Sequence, residues 1–130
     1  MRIARSMLDE IVAQARAEAP NECCGIVGTR DGEAVALYKT RNARASPLAY
    51  EIDPKDLLHA YNAIDEAGLD VGIIYHSHTR RDAKASETDI NLAMFPDAVY
   101  LIVGLKFDDL GAWYIRDGKV SEAPLEIVED

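Results

Sequence analysis

The chain has 130 residues, 48% of them hydrophobic. That is the size of one ordinary domain with enough apolar side chain for a real core, and no stretch reads as an interdomain linker. Its 23 acidic residues outnumber 14 basic ones, for a formal charge of −9. Such a surface repels phosphate backbones and anionic lipid, which argues against nucleic acid and membrane as partners.

Ile3, Met7, Leu8, Ile11, Val12 and Ala15 recur at three- and four-residue steps among charged residues, predicting an amphipathic helix that ends at Pro20. The first ten residues hold no signal-peptide core. Cys23 to Gly28 reads as a short apolar strand, Arg30-Asp31-Gly32 as a turn, and Glu33 to Lys39 as its antiparallel partner. The two cysteines, Cys23 and Cys24, are adjacent; a disulfide between them is strained, so both are read as reduced thiols, which fits a cytoplasmic location. Arg41 to Leu48 is a polar loop, followed by a short strand around Tyr50 to Ile52.

Asp53-Pro54 suits a helix start, because Asp caps free amides and proline fits the first helical position. Leu57, Leu58, Tyr61 and Ile64 form the buried stripe of that second helix, closed by Gly68. Val71 to Tyr75 is continuously apolar, as in a central strand covered on both faces. His76 to Ala85 reads as a loop, and Ser86 opens a short third helix stopped by Pro96. Ala98 to Leu105, Gly111 to Arg116 and Lys119 to Ile127 are expected to be three final strands, with turns at Asp108-Asp109 and Asp117-Gly118. No apolar run approaches the roughly 20 residues that span a bilayer. The expectation is a single domain over residues 1–130 of class α/β (α+β): a mixed, mostly antiparallel sheet with helices packed on it.

Chemistry concentrates at Tyr75-His76-Ser77-His78. Residues two apart on a strand share a face at about 6.6 Å along the backbone, so two imidazoles can lean onto one ion at Zn–N distances of about 2.0–2.1 Å. His-x-His alone is unspecific. Ser86 and Asp89 follow His78 by eight and eleven residues, at the first turn of the third helix, where the Asp89 carboxylate can supply a third ligand. Two histidines and a carboxylate leave a fourth position for water, the arrangement of catalytic zinc. Ser86-Glu87-Thr88-Asp89 is equally close to a capping box, and the two roles can coexist. On spacing alone, Asp82 and Glu87 remain rival third ligands.

In these residues the chain resembles the JAMM (MPN+) metalloproteases. Their pattern is an early glutamate, then His-x-His, seven residues, Ser, two residues, Asp. It is met here by Glu22, His76, His78, Ser86 and Asp89. The resemblance implies the cytidine-deaminase-like JAMM/MPN fold and a Zn2+ cofactor on His76, His78 and Asp89. It also implies that Glu22 is the general base and that Ser86 donates a hydrogen bond to the oxyanion. Many members carry proline where this chain has Thr79 and Ala85, which bears on the shape of the loop and not on its ligands. Arg80, Arg81 and Lys84 make that loop locally positive, either as a solvated surface or as a contact for an acidic partner.

Within that family the chain is similar to the bacterial Mec type, through Asn42-Ala43, Ser46-Pro47, Tyr50, Tyr75 to Thr79, and Pro96-Asp97-Ala98 before Tyr100. That resemblance implies hydrolysis of the amide after the C-terminal Gly-Gly of a small ubiquitin-like sulfur-carrier protein. The product would be cysteine, in cysteine biosynthesis, with the carrier tail added as an extended strand at a sheet edge. A homodimer is compatible with the sequence. General deconjugation of ubiquitin-like proteins is the alternative activity. A non-catalytic MPN scaffold is disfavoured by the full ligand set, and a zinc deaminase by the lack of a Cys-x-x-Cys pair. Cys24 and His59 are read as packing or surface residues, and Trp113 and Tyr114 as residues of a strand.

Overall fold

In the computed structural model, which describes residues 1–130, the elements are β1 (Arg2–Ala4), α1 (Arg5–Glu18), β2 (Cys24–Arg30), β3 (Glu33–Thr40), α2 (Pro54–Glu66), β4 (Asp70–His78), α3 (Glu87–Leu92), β5 (Val99–Gly104), β6 (Asp109–Arg116), β7 (Lys119–Glu122) and β8 (Glu126–Val128). They build one eight-stranded sheet in the order β7-β6-β5-β4-β2-β3-β1-β8. Four neighbouring pairs are antiparallel; β4 with β5, β1 with β3, and β1 with β8 are parallel.

Alternation along the central strands distributes the core. Ile73, Tyr75, Val99, Leu101 and Val103 point to one face, where Leu8, Ile11 and Ala15 of α1 cover them. Ile26, Ile74 and Tyr100 point to the other, against Ala60 and Ile64 of α2. The second helix starts as its sequence predicts, with the Asp53 side chain accepting from the Lys55 and Asp56 amides and Pro54 in the first turn. Both cysteines are free thiols and fully buried, where desolvation raises Cys23 to about 11 and Cys24 to about 12. No helix is long and apolar enough to cross a membrane.

Several expectations need correction. Ile3 is buried as expected but lies on β1, not on the helix; a three-residue strand carries no periodic signal of its own. The strand expected around Tyr50 to Ile52 reduces to one bridge, Asn42 to Ile52. The central strand does not stop at Tyr75 but runs through His78. Lys119 to Ile127 is not one strand. Ala123 makes a last bond to Ala112, Pro124 lacks an amide to continue the ladder, and β8 then pairs with β1 on the opposite edge of the sheet.

Two positions test this packing. Gly25 pairs with Tyr75 across β2 and β4, and the phenol lies directly over it, its hydroxyl donating to Gln14 Oε1 at 2.6 Å. Gly25→Ala should lower unfolding free energy by about 1–3 kcal/mol through overpacking, read as a shift of the urea midpoint. Asn42 uses its full amide capacity: Nδ2 donates to the Glu22 and Ala49 carbonyls, and Oδ1 accepts from the Arg44 and Glu51 amides, all at 3.0 Å. Asn42→Ala should cost about 1–3 kcal/mol and speed hydrogen exchange at Arg44 and Glu51.

Candidate active site

The register between the two middle strands brings the first three groups together. Cys24 stands opposite His76, and the Ser77 amide donates to the Cys23 carbonyl at 3.1 Å. Continuing that register by two residues sets Glu22 beside His78, on the face that also carries His76. Ser77, on the opposite face, accepts from the Cys23 amide at 2.8 Å and locks the strand ends. The fourth group arrives from α3. Ser86 accepts from the Asp89 amide at 3.1 Å while Asp89 Oδ2 accepts from the Ser86 amide at 2.9 Å, a complete capping box. Asp89 is thereby turned inward and buried.

Ligand atoms of Glu22, His76, His78 and Asp89 all lie within 4.8 Å of one another, and all four residues are buried. His76 Nε2 and His78 Nε2 are 3.2 Å apart, and Asp89 Oδ2 is 3.2 Å from the first and 3.0 Å from the second. Two atoms bound tetrahedrally at about 2.0–2.1 Å to one ion stand about 3.3–3.4 Å apart, so this triangle has nearly the edge of a zinc site. His78 Nδ1 donates to the Asp82 carbonyl at 2.6 Å, which leaves Nε2 with its lone pair toward the cluster, as a metal ligand requires. The donor set therefore fits a divalent cation held by His76, His78 and Asp89.

Burial raises the Glu22 carboxyl to about 7. His78 and Arg81 pull it down, and the charge of Asp89 pushes it up. Its Oε2 accepts from Arg81 Nη2 at 3.3 Å, whereas Oε1 is buried without a hydrogen-bond partner. Asp89 is held well below the ordinary carboxylate range, since its bonds to His76 and His78 outweigh its burial. Burial drives His76 down. Its ring is stacked by Tyr50, with centroids 4.2 Å apart and planes inclined by 20°.

The rival ligands take other places. Asp82 contributes its backbone carbonyl to His78, and Glu87 is exposed. Ser86 stands at the edge of the cluster; its oxygen accepts from the Asp89 amide, and its hydroxyl hydrogen remains available to another acceptor. His59 is exposed. Arg80 and Lys84 are exposed too, but Arg81 turns inward to Glu22 and to the Leu48 carbonyl, a contact that nothing in the local sequence signals. Trp113 Nε1 donates to the Ala83 carbonyl at 2.9 Å and Asp109 Oδ2 accepts from the Ala83 amide at 2.8 Å, pinning the loop between His78 and Ser86. Beside Tyr50 opens a largely apolar groove lined by Ile52, Leu57, Met94, Phe95 and Tyr100.

Residues 4–116 match the model of the prokaryotic homologs of the JAB domain. The chain is 34% identical to the CysO-cysteine peptidase of Mycobacterium tuberculosis (strain ATCC 25618 / H37Rv), over 98% of its own length and 90% of the relative's. It is 38% identical to a desampylase of Haloferax volcanii, over 77% of each chain. It is 36% identical to a probable TtuB-protein conjugate cleaving protease of Thermus thermophilus, over 90% of this chain and 77% of that one. Among solved structures, a protein from Desulfitobacterium hafniense superposes with a TM-score of 0.88 at 29% identity, covering 100% of this chain and 94% of that chain. A JAB1/MPN domain protein from Archaeoglobus fulgidus shares the fold with a TM-score of 0.67 at 24% identity, covering 99% and 100%. By sequence match across nearly its whole length and by the fold that carries the His-x-His cluster, the chain belongs to the prokaryotic JAB family of JAMM/MPN proteins.

Proposed function

We propose that this chain is a zinc metallopeptidase of the JAMM type. It hydrolyses the amide bond that follows the C-terminal Gly-Gly of a small ubiquitin-like sulfur-carrier protein in the cytoplasm and releases cysteine. The observation that carries this reading is the convergence of four buried titratable groups, two imidazoles and two carboxylates, on one point. Buried charges without compensation are costly, and a divalent cation is the compensation this donor set fits. The relatives named for CysO-cysteine and for TtuB conjugates support the substrate class.

His76, His78 and Asp89 hold the zinc, and Glu22 and Ser86 are the catalytic side chains. Zinc, when bound, supplies Lewis acidity and brings the pKa of water from 15.7 to near 7. Glu22 Oε1, free of protein partners, takes the proton of the attacking water and returns it to the leaving nitrogen. The Ser86 hydroxyl donates its hydrogen to the carbonyl oxygen as that oxygen gains charge. Water adds to the glycine carbonyl carbon, the C–N bond breaks, and the products are the carrier's terminal carboxylate and the free amine. Both free edges of the sheet, β7 and β8, lie three strands from β4 and β2. The tail therefore approaches not along an outer edge but through the groove beside Tyr50, where glycines pass closest to the cluster.

A second reading, cleavage of isopeptide-linked ubiquitin-like conjugates, is favoured by the relatives named desampylases. Both readings share the chemistry and differ in the amine released.

Metal analysis of the purified protein should find close to one equivalent of zinc, and His76→Ala should lose it. Glu22→Gln should keep the metal while kcat on a carrier–cysteine adduct falls about 10²–10⁴-fold. A Glu22→Gln protein that turns over like wild type removes the base from this assignment. Ser86→Ala should lower kcat about 10²–10³-fold. Because the same serine caps α3, a parallel urea titration should record about 1 kcal/mol of lost stability.

A further inference from the structure

We propose that Arg81 binds the free α-carboxylate of the amino acid that leaves, and so selects a terminal cysteine over a side-chain-linked amine. This rests on the reading above and deepens it. The guanidinium is already at the reacting centre, with Nη2 3.3 Å from Glu22 Oε2 and 3.0 Å from the Leu48 carbonyl, which it ties across the mouth of the site. In a one-residue leaving group the carboxylate carbon is only two bonds, about 2.5 Å, from the scissile nitrogen. An anion must therefore settle within a few ångströms of the Glu22 carboxylate, and the cation that faces Glu22 from the protein is Arg81.

Arg81 has the donors for it. Its Nη1 bonds to no protein atom, its Nε is buried without a partner, and the side chain is 37% exposed. The unused Nη1 N–H groups can donate charge-assisted hydrogen bonds to a carboxylate. Arg80 and Lys84, exposed on the same loop, form no ion pair with the cluster. A lysine joined through its side chain carries no free anion near its scissile nitrogen, so the arginine separates the two substrate classes.

The test uses a ubiquitin-like sulfur-carrier protein with one cysteine amide-linked to its terminal Gly-Gly, prepared once with a free carboxylate and once as the cysteinamide. Release is followed by mass with the zinc-loaded protein. Wild type should favour the acid in kcat/KM by about 10- to 100-fold, the contrast expected of hydrogen bonds to a charged group. In Arg81→Ala the ratio should fall to near one, and Arg81→Lys should keep an intermediate preference. Any disturbance of Glu22 slows both substrates alike and cancels in the ratio. Equilibrium binding of the two adducts to the zinc-loaded Glu22→Gln protein, on the time scale before turnover, should show the same contrast. Equal use of acid and amide by wild type, or an undiminished ratio in Arg81→Ala, overturns the role of Arg81 and leaves cysteine release standing. Cleavage of neither adduct overturns the cysteine-release reading and this inference with it.

Discussion

The antiparallel register between β2 and β4 is the constraint on which the site depends. Pairing Cys24 with His76 places the end of one strand beside the beginning of the other. A shift of one residue would send Glu22 to the face of α1, or turn both imidazoles into the apolar layer of Ile73 and Tyr75. The register is held by features with no part in the chemistry: the phenol of Tyr75 over Gly25, Gln14 bridging that phenol to the Cys24 carbonyl, and Ser77 bound to the Cys23 amide. Structural precision on the α1 face is transmitted through the sheet to the opposite face.

Asp89 shows how one side chain meets a local and a tertiary demand together. The capping box satisfies free amides at the start of α3 and selects the orientation that directs the carboxylate at two histidines. A helix of six residues has little stability of its own, so its position is set by what surrounds it. The preceding loop is fastened by Trp113, Asp109 and the bond from Leu105 to the His78 carbonyl. Thr79, where many members of the family carry proline, donates to the Pro20 carbonyl instead.

The segment between β3 and α2 closes the other side of the cluster. Asn42 folds it back on itself and ties it to the Glu22 carbonyl, Tyr50 stacks on His76, and the Leu48 carbonyl receives Arg81. Each contact joins residues distant in sequence. The two histidines of the cluster thus sit on a central strand, Asp89 comes from a short helix, and loops close the mouth around them.

Much of this was legible in the chain itself, because it rests on short-range physics. The three- and four-residue recurrence of α1, the cap at Asp53-Pro54, the apolar run of β4 and the spacing of His76, His78, Ser86 and Asp89 each depend on neighbours a few residues away. The place of Glu22 in the cluster was legible only through resemblance to a family, since nothing beside it in the sequence distinguishes it from an ordinary surface acid. What tertiary structure alone decided is long-range. Ile3 sits on a strand because β3 and β8 flank it, and the chain after Pro124 crosses to the far edge of the sheet. Arg81, one of three similar cations on its loop, turns inward because Glu22 and Leu48 wait there. Local sequence encodes periodicity and caps; which buried charge meets which partner is settled only when the sheet brings them within hydrogen-bonding distance.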